Sequence, residues 1–402
     1  MTTIGVWGCF DSESLGAQLA LRISTAELER RLPGVRIRAF APYGATRPIA
    51  FDGGEPVEPL SPPTPSHVDA LAGALDLVVL TGNLSVAGSG TLAATYGITL
   101  SEATPLAHLL LSGLPDVPRA WSCVSVPPDV ASRADGCVHV SVVDEASLSR
   151  LPAATLVPEP ALLAPRIFPP RALEKRLAFL QAMGWWPEVG APILLQGSTT
   201  DVEQAAAVAT ALGDRQVVLI GADAGDSEFA LVMAALLPHA LRIPELAGVE
   251  DRVAAVTAAG AVVTSSATFR ALAMAYGRPY GDTSAPSSLH DPEPSAGPAD
   301  SLDAEYDALA CLLPEVEPAP LVTAEVAALH AALDARGRRL AIERAQMADY
   351  VWSLKAEHEG ALAQCAAVND ALARENALLR SRWSIRLRSA AGRTVRRLRR
   401  RR

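Results

Sequence analysis

The sequence predicts an α/β chain: two doubly wound parts in tandem, then a helical coiled-coil segment and a basic tail. Three observations carry this. Short apolar runs closed by Gly alternate with stretches of helical spacing, and the alternation occurs twice. A Pro-rich stretch, PEPALLAPRIFPP at 158–170, divides the two series. Half of the 402 residues are hydrophobic, enough for more than one core. The expected parts are 1–165, 170–315, 321–380 and 381–402.

In order along the chain, IGVWG at 4–8 reads as a buried strand. Residues 15–32 set Leu15, Leu19, Ile23, Leu28 and Leu32 broadly on one side of a helix, which Pro33-Gly34 stops. A second strand is predicted at 35–40, and a Pro/Gly-rich loop at about 41–65. The run at 75–80 leads into Thr81-Gly82-Asn83, a strand followed by a glycine turn, where parallel sheets put ligand loops. Short strands follow at 120–126, 137–143 and 154–157. After 158–170 the series restarts, with strands at 193–195, 217–221 and 261–264. Helices are expected at 171–183, 201–212, 227–237, 249–259 and 267–276, which implies a second mostly parallel sheet. Residues 281–300 are turn-rich and expected to be exposed, and 302–313 suit one more helix.

From about 322 apolar residues recur every seven positions, at Val326, Leu333, Leu340, Met347, Leu354, Ala361 and Val368. That is a coiled-coil pattern, weakened by Gly337 and Gly360. A single long helix or a two-helix hairpin fits it too. The last 22 residues hold ten arginines and no acid. Subtracting that +10 from the net charge of −9 leaves −19 on the other 380 residues. An acidic body argues against a nucleic-acid partner, whose binding surface would be basic. The tail, with Trp383, Ile385 and Leu387 among its arginines, suits an anionic membrane surface, plain solvation or nonspecific RNA attraction. Five dispersed cysteines (Cys9, Cys123, Cys137, Cys311, Cys365) have no metal-ligand spacing and read as reduced thiols. No apolar run is long enough to span a bilayer, and MTTIGVWGCF lacks a basic n-region. The expected location is the cytoplasm, with contact at the inner membrane face through the tail.

Four segments follow one another: FDSESLGA at 10–17, VDEAS at 143–147, PEPA at 158–161 and SSATFRALAMAYGRP at 265–279. Their order and spacing resemble the polysaccharide pyruvyl transferases, whose motifs run FDxxNxGD, R(D)xxS, PDPA and SSLHGxxxAxxxGxP. The resemblance spans about 4–280. It implies a glycosyltransferase-B-like fold and transfer of pyruvate from phosphoenolpyruvate to a sugar hydroxyl in surface-polysaccharide synthesis. No cofactor is implied beyond that donor substrate, and the partner is a sugar or glycan. The family His falls on Thr268, its Asn on Ser14, its second acid on Ala17, and its Gly-rich turn on Thr81-Gly82-Asn83. Two alternatives therefore stand beside pyruvyl transfer. One is a silent family member that pairs with itself or a partner through the coiled coil. The other is a glycosyltransferase using a nucleotide sugar.

The candidate catalytic carboxylates are Asp11 and Glu13, in the first strand-to-helix loop, where acids also complement a helix dipole. The candidate substrate-binding residues are Gly16, Gly82, Asn83, Ser265, Ser266, Thr268 and Arg270. The serines suit an anion at a helix start, or simple capping. Asp223 and Asp226 follow a strand, as ligand-binding acids and turn formers both do. His239 and His290 are the histidines nearest the presumed cleft by sequence. No GxSxG, P-loop, HExxH, EF-hand or GxGxxG motif occurs.

Overall fold

The computed structural model describes residues 2–11, 14–44, 57–197, 202–221, 226–244, 247–286, 288–292 and 296–313, all within the compact unit Met1–Ala319. The heptad segment 321–380 and the arginine tail 381–402 lie outside the described residues.

The first part holds β1 (Thr3–Trp7), α1 (Leu15–Arg31), β2 (Arg36–Ala41), β3 (Val57–Pro59), α2 (Pro65–Ala72) and β4 (Leu77–Asn83). It continues with α3 (Ser89–Tyr96), α4 (Leu100–Ser112), β5 (Arg119–Ser125), β6 (His139–Val142), α5 (Glu145–Arg150) and β7 (Thr155–Leu156). Its seven strands are all parallel, in the order β3-β2-β1-β4-β5-β6-β7. A parallel sheet covered on both faces needs strands that are apolar on both sides, and β1 and β4 supply them. Ile4, Val6, Leu77 and Val79 join the core beneath α1. Trp7, Val78 and Leu80 enter a second core with Leu106, Leu109 and Leu110 of α4.

The second part holds α6 (Ala164–Ile167), α7 (Pro170–Ala182), β8 (Ile193–Gln196), α8 (Val202–Leu212), β9 (Val217–Leu219) and α9 (Asp226–Leu236). Then come β10 (Leu241–Arg242), α10 (Val249–Ala258), β11 (Ala261–Thr264), α11 (Ala267–Ala275), β12 (Tyr280–Gly281) and α12 (Ala296–Ala310). Its sheet is again all parallel, in the order β10-β9-β8-β11-β12. The predicted fold class is present as two doubly wound α/β parts.

Several local expectations change. Residues 41–65, expected as a loop, contain β3. The connection 158–170 contains a 3-10 turn, Pro160–Leu163, and α6. The turn-rich stretch 281–300 already contains the start of α12. That helix was expected to trail the second part, yet it packs on α1 of the first. Tyr306 is fully buried, with its hydroxyl 3.2 Å from Ser24 Oγ. Asp303 takes hydrogen bonds from Arg30 (2.8 Å), Arg31 (2.7 Å) and Arg166 (2.7 Å), and Asp307 takes one from Arg31 (2.6 Å). Buried Glu27 sits inside the same cluster, bonded by Arg30 and Arg31. Farther along α12, Glu305 reaches the sheet and accepts from Ser122 (2.7 Å), Ser141 (2.6 Å) and His139 (2.9 Å). One continuous apolar core joins α1, α10, α11 and α12, so the two parts share an interior.

Candidate functional site

In a doubly wound sheet the ligand crevice lies outside the carboxyl ends of the strands, where the strand order reverses. Here that is between β1 and β4, and again between β8 and β11. The first reversal is tight. A Cβ on Gly8 would lie 2.5 Å from the Phe10 ring and 2.8 Å from the Thr81 carbonyl oxygen. Gly82, with φ +92°, sits just above Ala17 and Ala20 of α1. The second reversal is stitched by buried Gln196. Its Oε1 accepts from the Thr264 hydroxyl and, at 3.1 Å, from the Ser266 N–H. That fixes the turn into α11, whose first N–H groups have no partner within the helix.

The two helix starts meet. Gly16, in the first turn of α1, faces Thr268 of α11 so closely that a Cβ would lie 2.8 Å from Thr268 Oγ1. The absent side chain is what permits this approach. Thr268 Oγ1 in turn donates at 3.3 Å to Glu159 Oε1. Glu159 lies just beyond β7 and precedes the 3-10 turn Pro160–Leu163. The residue is partly exposed. Burial pushes its carboxyl up to about 7, opposed by the Thr268 bond and assisted by the charge of Asp144. Asp144 caps α5, accepting from the Ser147 N–H (2.7 Å) and hydroxyl (2.9 Å). Burial raises its pKa, but these bonds prevail and hold it below the usual carboxylate range. Thus the ends of β6 and β7 and the starts of α1 and α11 gather around Glu159. Ser265 is exposed there, while Ser14, Ser266 and Thr268 are partly so.

The remaining candidates divide. Both oxygens of Asp11 are engaged: the Tyr96 hydroxyl donates to Oδ1 at 2.5 Å and the Tyr43 N–H to Oδ2 at 2.8 Å. The Tyr43 and Tyr96 rings lie 5.0 Å apart. Burial lifts the Asp11 carboxyl above its ordinary value despite the two bonds. Asp11 thereby ties the end of α3 and the segment after β2 to the loop that follows β1. Glu13 and Asp223 lie outside the described residues, as does the side chain of Asp226. Asn83 caps the next turn, accepting from the Ser85 N–H at 2.9 Å. Arg270 pairs with Asp282 at 3.2 Å, near β12. His290 bridges to Tyr280 and stacks against its ring at 5.7 Å, and His239 is exposed. Glu159, within the PEPA segment, and Tyr96 are not among the residues the sequence singles out. The signal for Glu159 was its place directly after a sheet strand. Among the described residues no three His, Cys, Asp or Glu side chains gather as a metal site, and no helix is long and apolar enough to cross a membrane.

No family model matches the sequence, and no curated protein matches it. Distant likenesses exist among solved structures. An Escherichia coli ADP-heptose lipopolysaccharide heptosyltransferase II is 16% identical with a TM-score of 0.41, over 78% of this chain and 99% of that one. A UDP-GlcNAc 2-epimerase from Methanocaldococcus jannaschii is 11% identical with a TM-score of 0.47, over 70% and 83%. Another from Neisseria meningitidis, bound to UDP-GlcNAc, is 11% identical with a TM-score of 0.44, over 70% and 81%.

Proposed function

We propose that this protein transfers a group from a phosphorylated donor to a sugar hydroxyl, and that the donor is a nucleoside-diphosphate sugar. The two parts then work as the lobes of a glycosyltransferase-B-like enzyme. The observation that carries the reading is the meeting of α1 and α11 at Gly16 and Thr268. It sets a helix start from each lobe side by side, at the carboxyl ends of two doubly wound sheets. Helix starts present unpaired N–H groups and a positive dipole end, which suit a diphosphate. The 3-2-1-4-5 type of strand order in each part suits a nucleotide at the reversal point. In this reading Ser265, Ser266 and Thr268 hold the diphosphate and Gly16 lets the start of α1 approach Thr268.

A second reading keeps kinship with the polysaccharide pyruvyl transferases and takes phosphoenolpyruvate as donor. It is favoured by one contact. Thr268 stands where that family has His and cannot protonate a carbon, but Glu159 lies 3.3 Å from its hydroxyl and can carry a proton near neutral pH. The test is a set of thermal-shift titrations of the full chain with UDP, ADP, GDP and phosphoenolpyruvate. A ligand at 100 times its Kd stabilises the fold by about 2.7 kcal/mol. A shift with a nucleoside diphosphate supports the first reading, and one with phosphoenolpyruvate alone the second. No shift with any of the four refutes both.

A further inference from the structure

We propose that Glu159 is the proton-transfer residue of this site, the group that takes the proton of the acceptor hydroxyl as the donor bond breaks. The proposal rests on the nucleotide-sugar reading above and adds the chemistry of the acceptor to it. Its first support is position. Glu159 belongs to the first lobe and bonds to Thr268 of the second, at the start of the helix assigned to the diphosphate.

Its second support is a contrast with the other carboxyls drawn into the interior. Glu27 is paired with Arg30, Arg31 and Arg166. Glu305 is paired with His139 and bonded by two serines. Asp251 is paired with Arg176 at 2.8 Å. Those residues hold elements together, and each has its charge met. Asp11 has no ion pair among the described residues, but both its oxygens accept hydrogen bonds. Among the described residues no Arg, Lys or His forms an ion pair with Glu159; its neighbours are a threonine hydroxyl and the like charge of Asp144. A structural carboxyl left without a cation is costly, because burial penalises the ionised form. The same setting suits a group that must exchange a proton. Protonated and ionised forms coexist near neutrality, where such groups work best.

The bond from sugar C1 to the diphosphate oxygen breaks, and its electron pair leaves with the nucleoside diphosphate. The acceptor oxygen forms the new bond to C1, and its proton passes to the Glu159 carboxylate. Glu159 then releases that proton to solvent. When no sugar acceptor is present, water takes its place and the donor is hydrolysed.

The experiment compares wild-type full chain with Glu159→Gln and Glu159→Asp, using UDP, ADP and GDP as binding probes and UDP-, ADP- and GDP-glucose as donors. Nucleotide release is followed from pH 5.5 to 9. Glu159→Gln is expected to bind the nucleoside diphosphate within threefold of wild type while release falls by about 10²–10⁴. The wild-type rate rises with pH through about 7 and then levels. The Gln variant shows no such rise, and the Asp variant recovers part of the rate. A second readout needs no turnover. Glu159 ionises less readily in the folded chain than at its ordinary 4.5, so wild type loses stability relative to Glu159→Gln as pH rises from 4.5 to 7. If the wild type binds none of the three diphosphates, the donor reading fails and this role fails with it. If diphosphates bind but the wild type releases no nucleotide, or Glu159→Gln releases it within threefold of wild type with the same pH profile, the role of Glu159 alone is overturned.

Discussion

Replacing His139 with Ala tests how α12 is anchored to the first sheet. Glu305 is almost fully buried and accepts from Ser122 (2.7 Å), Ser141 (2.6 Å) and His139 (2.9 Å). Removing the cation leaves the carboxylate with two neutral donors. Breaking a buried ion pair from one side costs about 3–5 kcal/mol, and the lower end applies because two hydroxyls remain. A loss of about 3 kcal/mol would shift Tm by roughly 6–12 °C in a domain of about 150–250 residues, and by less in the larger unit Met1–Ala319. The pH dependence follows from the directions of the two shifts. The Glu305 bond raises the His139 pKa above 6.5 against burial, so its contribution is complete below 6.5 and fades as pH rises through the raised value. Burial works to raise the Glu305 pKa, but His139 and the serines outweigh it and hold it below 4.5. Its contribution is therefore complete above 4.5 and is lost on acidification below that. The variant should differ most from wild type between pH 4.5 and 6.5, and by about half as much at pH 9, where neutral His139 still donates one hydrogen bond. Thermal and urea unfolding of the full chain at pH 6 and 9 measure this. An equal difference at both pH values, or a loss below about 1 kcal/mol at pH 6, refutes the reasoning.

Gly8→Ala forces a Cβ against the Phe10 ring and the Thr81 carbonyl and should cost about 1–3 kcal/mol in urea unfolding. Tyr96→Phe removes the 2.5 Å bond to Asp11 and should cost about 1.5–3 kcal/mol, with the larger loss at pH 8 and the smaller at pH 4, read by the same unfolding measurement. Gly16→Ala sets a Cβ 2.8 Å from Thr268 Oγ1 and should cost about 1–3 kcal/mol in urea unfolding. Its Cβ displaces the Thr268 hydroxyl, so UDP affinity measured by calorimetry should weaken at least tenfold.

The alternation of elements was legible where strands such as β1, β4, β8 and β11 are brief, largely buried runs and the main helices have an apolar side. What stayed hidden was short or broken by proline. β3 has three residues within a Pro/Gly-rich stretch. α4 contains Pro105, which reads as a stop, although Thr99 and Glu102 form a capping box that announces its start. The site was legible as a set of turns: motif order alone brought the Gly16 loop and the Ser265 turn into one proposal. It was not legible as chemistry. Asp11 meets Tyr96 from 85 positions away, and Glu159 meets Thr268 from 109. Desolvation depends on such distant neighbours, so no local pattern could separate the carboxyl that both tyrosines engage from the one that meets only a threonine hydroxyl.

The candidate site and the clamp on α12 lie at opposite ends of one helix. The N-terminus of α1 lies in the candidate site, at Gly16. Its last turn carries Arg30 and Arg31, which hold Asp303 and Asp307 of α12. At 1.5 Å per residue these ends stand about 21 Å apart. The division follows from the helix itself. Its positive end suits an anionic donor, and its negative end is complemented by the two arginines that also anchor α12. The clamp needs rigid, paired charges, whereas the site needs unpaired N–H groups and a carboxyl without a cation. Placing them at one end would set the arginine charges beside Glu159. The length of α1 keeps the two demands separate.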